Sequence, residues 1–222
     1  MTDFLLAHWL DIVTTILGLL YIWFEYRASL WLWLVGFLMQ SLGIVLYYQK
    51  GLYADCAMEF YYLAMTIYGY WRWVYGGNGA KEAYKAHEAY EAYETHKAHE
   101  ASGRGGTLAI RHFPRHLVLP WLVLTGCVWG IIYWLLVTFT NSNVPLADSF
   151  TTALSIVGIW ALAHKYLEQW FIWIAVDVVT CVLYAYKDIP FKAGLYALYV
   201  IIAILGYRKW RRMMDTQKTE ET

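Results

Sequence analysis

Apolar runs long enough to cross a bilayer recur along this chain and leave little room for any other architecture. A helix needs about 20 mainly apolar residues to traverse the hydrocarbon core. Seven stretches meet that demand, at roughly 7–25, 29–48, 53–75, 117–139, 147–164, 168–186 and 190–208. With 60% hydrophobic, 19% aromatic and 15% charged residues, the chain has too little polar surface for a water-soluble globule. A transmembrane barrel would show short alternating segments instead of continuous runs. The fold class is therefore read as an all-α integral membrane protein with seven transmembrane helices.

Charge gives the expected orientation. Met1–Trp9 carries no Lys or Arg and so lacks the basic region of a cleaved signal peptide, and the first segment is expected to remain as a span. The formal net charge is zero, but the 17 basic residues sort unevenly under strict alternation. Fourteen fall on one side, including Arg27, seven from Arg72 to Arg115, Lys165, Arg208, Lys209, Arg211, Arg212 and Lys218. Only Lys50, Lys187 and Lys192 fall on the other. The excess of positive charge on cytoplasmic loops then predicts the N-terminus outside and the C-terminus in the cytoplasm.

Sliding the chain by 137 positions aligns its two ends. Asp11, Thr14 and Thr15 match Asp148, Thr151 and Thr152, while Trp23, Trp33, Tyr47 and Lys50 match Trp160, Trp170, Tyr184 and Lys187. Further on, Tyr62, Gly69, Tyr70 and Trp73 match Tyr199, Gly206, Tyr207 and Trp210. A three-span repeat reverses the side on which the chain ends, so one extra helix must return it before the second unit begins. The expected architecture is 3+1+3, two parallel three-helix bundles joined by a linker helix. Its parts are a first repeat over 1–75, a cytoplasmic polar insert and loop over 76–116, the linker over 117–139, a second repeat over 140–210 and a tail over 211–222. Transporters built this way place the substrate midway through the membrane, where the repeats meet.

Polar residues inside the spans are the candidates for function. Trp170, Trp173 and Asp177 follow an i, i+3, i+7 spacing that lines them along one helical face. An acid at that depth costs about 2.5–3.5 kcal/mol on insertion scales and normally faces a partner, a cavity or a substrate. Two indoles beside an anion suit a flat, positively charged ring. Trp170 lies near the inner end of its span, where an interfacial anchor is the competing reading. In the first repeat Trp33, Gly36 and Gln40 take the same spacing. Glu59 is a second deep acid, with Asp55 one turn before it and Tyr62 and Thr66 continuing its face. Asp11 and Asp148 instead read as structural, favouring helix N-termini, with Asp148 and Ser149 able to cap.

Other chemistries are excluded or disfavoured. No phosphate-binding loop, His-Glu-x-x-His or Gly-x-Ser-x-Gly motif occurs, so an enzyme is not expected. Cys56, Cys127 and Cys181 lie in spans and read as apolar filler. The near-repetitive Lys81–Ala101 tract reads as a solvated cytoplasmic helix, and its His87, His96 and His99 lack tetrahedral metal spacing. No metal, cofactor or nucleic-acid partner is expected.

The run Asp148-Ser-Phe-Thr-Thr-Ala-Leu-Ser-Ile-Val, then His164-Lys-Tyr-Leu-Glu-Gln-Trp-Phe-Ile-Trp, together with Tyr68-Gly-Tyr-Trp-Arg-Trp, resembles the PnuC family of vitamin transporters. The resemblance implies seven core helices, a homotrimer in the bacterial cytoplasmic membrane, and facilitated uptake of nicotinamide riboside trapped by a cytoplasmic kinase. It implies Trp170 and Trp173 as the substrate-contacting pair, with Asp177 and Glu59 as polar partners. Carboxylates stand at these two positions where nicotinamide riboside carriers tend to have amides. The compact members of the family are linked to thiamine, the alternative substrate. With Gln40, Trp33 and Tyr62, these residues form the expected site. A uniporter is the leading reading, against proton coupling through Glu59 or Asp177 and against a receptor or scaffold without solute flux.

Overall fold

Prolines and left-handed turns divide the chain into helices. A computed structural model describes residues 16–49, 53–76, 108–140, 144–186 and 190–220, together with Val13. Asp11, Lys50, Lys187 and the Lys81–Ala101 tract lie outside the described residues, as do the side chains of Asp55 and Lys192. Among the described residues are seven α-helices: α1 Ile16–Tyr26, α2 Trp31–Gln49, α3 Tyr53–Tyr75, α4 Val118–Phe139, α5 Pro145–Ala163, α6 Gln169–Tyr186 and α7 Pro190–Glu220. A short 3-10 turn, Arg115–Leu117, leads into α4. No strand occurs among these residues, only an isolated bridge between Arg111 and Tyr166.

Pro145 and Pro190 open α5 and α7 at the first helical position, where the missing N–H has no intrahelical partner to lose. The helix therefore starts ahead of Asp148, which lies in its first turn. Ser149 does not cap, contrary to expectation: its hydroxyl donates to the Leu146 carbonyl at 3.0 Å and accepts the Trp129 indole N–H at 3.1 Å. At its far end α7 runs through the basic segment to Glu220.

Among the described residues four helical segments, Trp31–Gln49, Arg115–Phe139, Pro145–Ala163 and Gln169–Tyr186, are long and apolar enough to cross a membrane. Ile16–Tyr26 is apolar but shorter as described. Large apolar side chains point outward along these helices, among them Leu119, Leu122, Phe139, Ile131 and Val182. No residue of α4 is buried. Such surfaces are stable against lipid, where helices satisfy their own backbone polar groups.

The chain forms two units, each discontinuous. Unit 1 contains Met1–Ile22, Leu30–Ala109 and Ala163–Lys165, with α2 packed on α3. Unit 2 contains Trp23–Ser29, Ile110–Leu162 and Tyr166–Thr222, with α6 packed on α7.

Several geometries return after 137 residues. In unit 1 the Trp33 indole lies on Gly69 and meets Trp73 edge-on, ring centroids 5.3 Å apart at 90°. In unit 2 Trp170 lies on Gly206 and meets Trp210 edge-on, 5.6 Å apart at 88°. The indole N–H groups of both Trp33 and Trp170 are buried without a hydrogen-bond partner among the described residues. The Cys56 thiol donates to the Ile44 carbonyl and the Cys181 thiol to the Ala193 carbonyl, the corresponding helix pair with donor and acceptor exchanged. Ala28 and Lys165 both adopt left-handed backbone conformations, with φ of 50° and 51°. Each turn is closed by an N–H bonded five residues back, Ser29 to Phe24 and Tyr166 to Ala161, both at 3.0 Å. That pattern is the Schellman closure of a helix C-terminus.

Neither glycine in the indole contacts tolerates a side chain. A Cβ on Gly69 would lie 2.1 Å from Trp33, and one on Gly206 2.4 Å from Trp170. Gly130 of α4, by contrast, has open space at that position. Gly69→Ala and Gly206→Ala should each destabilise the protein by about 1–3 kcal/mol through overpacking, whereas Gly130→Ala should be near neutral. Thermal unfolding in detergent of the three variants checks this ordering.

Candidate functional site

On α6, Trp170 lies against α7, and the residue three positions on meets a different helix. Trp173, three positions on, turns toward α5, where a Cβ on Gly158 would come within 3.2 Å of its ring. Its indole N–H donates to the Gln169 side-chain carbonyl one turn back, at 2.5 Å. Asp177 follows one turn later on the same helix. Both Trp173 and Asp177 are half-buried, so each keeps part of its surface open. Tyr199 of α7 lies within electrostatic reach of Asp177.

Glu25, at the end of α1 and within unit 2, completes this cluster. Its carboxyl lies alongside the Gln169 amide and within electrostatic reach of Asp177. Gln169 is wholly buried and Glu25 is 4% exposed. The Glu25 carboxyl interacts with the Gln169 side chain, and Glu25 Oε1 and Gln169 Nε2 make no further hydrogen bond among the described residues.

The expected face of Trp170, Trp173 and Asp177 therefore divides. Trp170 is 2% exposed, enclosed by Gly206 and Trp210, and offers no free ring face within its unit. Trp33 is 1% exposed and enclosed likewise by Gly69 and Trp73. Within their units both rings are therefore packing elements, large side chains seated on glycine. Trp173 and Asp177 remain together, joined by Gln169 and Glu25.

In unit 1 a second polar group forms between α2 and α3. The Glu59 carboxyl rests on Gly43, where a Cβ would fall 2.8 Å from its carboxyl carbon. Gln40, one turn before Gly43, is buried on the same helix. Tyr62 is half-buried, and its backbone carbonyl accepts the Thr66 hydroxyl at 2.9 Å. Thr66 in turn borders Gly36, with Tyr21 on the other side. Gln40, Glu59 and Tyr62 thus belong to one helix pair, and Trp173 and Asp177 to unit 2. Among the described residues no group of three His, Cys, Asp or Glu side chains could hold a metal ion.

Glu25 and Gln169 were not singled out from the sequence. A usable signal exists in the 137-residue alignment, which places Leu162 opposite Glu25 and Leu32 opposite Gln169. Both leucines are fully buried, so polar residues at the matching positions break an apolar pattern.

The turn after α5 supplies another buried charge, outside the spans. Lys165 Nζ lies 4.1 Å from the Trp73 ring centroid and the residue is 2% exposed. Beside it, the Tyr68 hydroxyl and His164 Nε2 are 3.4 Å apart. Burial pushes the Lys165 ammonium down to about 8, from an ordinary 10.5.

The family model for the nicotinamide mononucleotide transporters matches residues 8–212 of the chain. The Escherichia coli K12 protein "Nicotinamide riboside transporter PnuC" is 24% identical over 230 residues, covering 91% of this chain and 84% of that protein. The Streptomyces davaonensis "Riboflavin/roseoflavin transporter RibM" is 26% identical over 204 residues, with the same 91% and 84% coverage. Among solved structures, the crystal structure of the vitamin B3 transporter PnuC superposes with a TM-score of 0.65 at 20% identity, covering 94% of this chain and 83% of that one. That likeness shows the fold.

The Lys165 geometry generates a pH prediction. Below about pH 8 the ammonium is protonated folded and unfolded, and the burial penalty is constant. Between 8 and 10.5 the folded protein gives up the proton first, so stability rises with pH. The wild-type thermal midpoint in detergent should therefore climb across that window relative to Lys165→Met, measured at matched ionic strength.

Proposed function

The chain belongs to the nicotinamide mononucleotide transporter family and is a multi-pass membrane transporter of a vitamin, not an enzyme, and from that premise we propose that it carries nicotinamide riboside. The observation that supports this reading is the pairing of Trp173 with Asp177 on successive turns of α6, each partly open. A pyridinium ring stacked on Trp173 gains about 0.5–2 kcal/mol of cation–π attraction. The Asp177 carboxylate adds a Coulomb term that is larger than in water because the surroundings are apolar. In unit 1, taken by itself, Gln40, Glu59 and Tyr62 offer hydrogen-bonding groups of a kind that suits a carboxamide and ribose hydroxyls. Trp170 serves the Trp173–Asp177 pair indirectly, by setting the rotation of α6, and Trp33 sets the rotation of α2 in unit 1.

Uptake in this reading is facilitated diffusion, with phosphorylation by a cytoplasmic kinase retaining the product. The protein works as a homotrimer of 3+1+3 subunits, the N-terminus outside and the C-terminus in the cytoplasm. The distribution of Lys and Arg supports that orientation.

Thiamine is the second reading, favoured by the carboxyl groups of Glu59 and Asp177. An aminopyrimidine offers a ring nitrogen and an amine that pair well with a carboxylic acid or carboxylate, while the thiazolium supplies the flat cation. Titration of the purified protein with nicotinamide riboside, nicotinamide, thiamine, thiamine phosphate and riboflavin, followed by Trp fluorescence, separates the two. Saturable tight binding of nicotinamide riboside over thiamine is expected, and the reverse order selects the second reading.

Trp173→Ala and Asp177→Ala should each reduce uptake into proteoliposomes by about tenfold or more while leaving membrane insertion intact. Normal uptake by both variants rules out this site.

A further inference from the structure

Two turns beyond the contact of Trp170 with Gly206, the same seam between α6 and α7 sets an acid against an aromatic ring. Trp170 of α6 lies on Gly206 of α7. Asp177 is seven positions after Trp170, and Tyr199 is seven before Gly206. Seven residues make nearly two full turns, so each returns to within about 20° of its starting direction around the helix. Asp177 therefore faces the α7 side and Tyr199 the α6 side. The two helices are antiparallel, so a step forward on one and back on the other reaches the same level. Contacts on either side hold that register. Phe171 lies on Tyr207 with ring centroids 4.7 Å apart, and beyond the acid the Cys181 thiol donates to the Ala193 carbonyl at 3.3 Å. Asp177 and Tyr199 are within electrostatic reach of each other, and both are half-buried.

Other rings brace Tyr199 in this position. It meets Tyr196 edge-on, centroids 5.5 Å apart at 74°, and Tyr196 stacks on Tyr184 of α6, 5.4 Å apart at 21°. Both orientations are ones that ring quadrupoles favour. Unit 1 is built on the same plan. Trp33 lies on Gly69, and seven positions from each stand Gln40 and Tyr62. The acid of unit 2 is exchanged there for an amide, whereas the tyrosine is kept.

We propose that Tyr199 is a further substrate-contacting residue of the transport site, supplying from α7 a second aromatic face, beside that of Trp173, for a flat cationic ring. This rests on the reading of Trp173 and Asp177 as substrate contacts. Trp170 is enclosed within its unit, so the ring on the acid's α7 side is Tyr199. The attraction comes from the quadrupole of the ring itself and requires no ionised group in the protein. An uncharged ligand ring of the same outline gains the contact without that attraction, which is how the tyrosine favours a cation.

Fluorination tests the ring face with little change of shape. Tyr199 is replaced by Phe and by mono-, di- and trifluorinated phenylalanines, each fluorine withdrawing electron density from the face. Binding of nicotinamide riboside and of thiamine to the purified full-length protein in detergent is measured by titration calorimetry, alongside thermal midpoints. Tyr199→Phe should bind the preferred cation within about threefold of wild type. Affinity should then fall with each added fluorine, by about tenfold across the series, while the midpoint stays level. Affinity that is indifferent to fluorination overturns the proposal. A midpoint that falls in step with affinity overturns it as well, since packing against Tyr196 then accounts for the gradient. Binding already lost in Tyr199→Phe, where the face is kept, assigns the effect to the hydroxyl and has the same consequence. Trp173→Ala reports separately on the underlying site and should weaken the cation by about tenfold or more. Unaltered binding by Trp173→Ala defeats that site, and a wild-type protein that binds neither cation defeats both.

Discussion

The contact on which the rest of unit 2 depends is the Trp170 indole seated on Gly206. In lipid, helices gain little from the hydrophobic effect when they associate, because acyl chains are as apolar as leucine. Close packing has to replace it. A glycine notch lets a large ring lie directly on a neighbouring backbone, and Trp210 closes the other side edge-on, the orientation favoured by ring quadrupoles. Unit 1 uses the same device with Trp33, Gly69 and Trp73. Each ring that is swallowed in this way fixes the rotation of its helix about its own axis.

Helix rotation is what turns packing into a site. Trp170 faces α7, and Trp173, about 60° further round the helix, meets Gly158 of α5. Asp177 follows at the next turn, with Tyr199 within electrostatic reach. Gln169 precedes Trp173 by one turn and ties its N–H, which keeps the ring from rotating about its side-chain bonds. Glycine plays the equivalent part in unit 1, where the absence of a side chain at Gly43 lets the Glu59 carboxyl lie against α2.

Most of the helical content was legible because the apolar runs are long and their breaks carry strong signals. Helix α6 was expected over 168–186 and spans Gln169–Tyr186. Helix α5 starts at Pro145, ahead of the expected 147, since proline opens a helix better than Asp148 caps one. The site was less legible. Spacing of i, i+3 and i+7 puts three residues on a stripe, but the stripe spans enough of the helix surface that adjacent members can face different neighbours. Trp170 and Trp173 do so. Glu25 is harder still to read, because it stands at the edge of a span, where an acid is ordinary, and Gln169, beside it in space, is 144 positions away along the chain.

That this protein is a bundle of membrane helices, which residues are polar within them, and that similar residues recur after 137 positions can all be read from the amino-acid order. These follow from length, hydropathy and identity, all local properties. Which indole is enclosed within its unit and which keeps an open part depends on the helix each one meets, and that is settled by packing in three dimensions. Packing also joins Glu25 to the Trp173–Asp177 cluster, because burial and charge act through space and take no account of order along the chain.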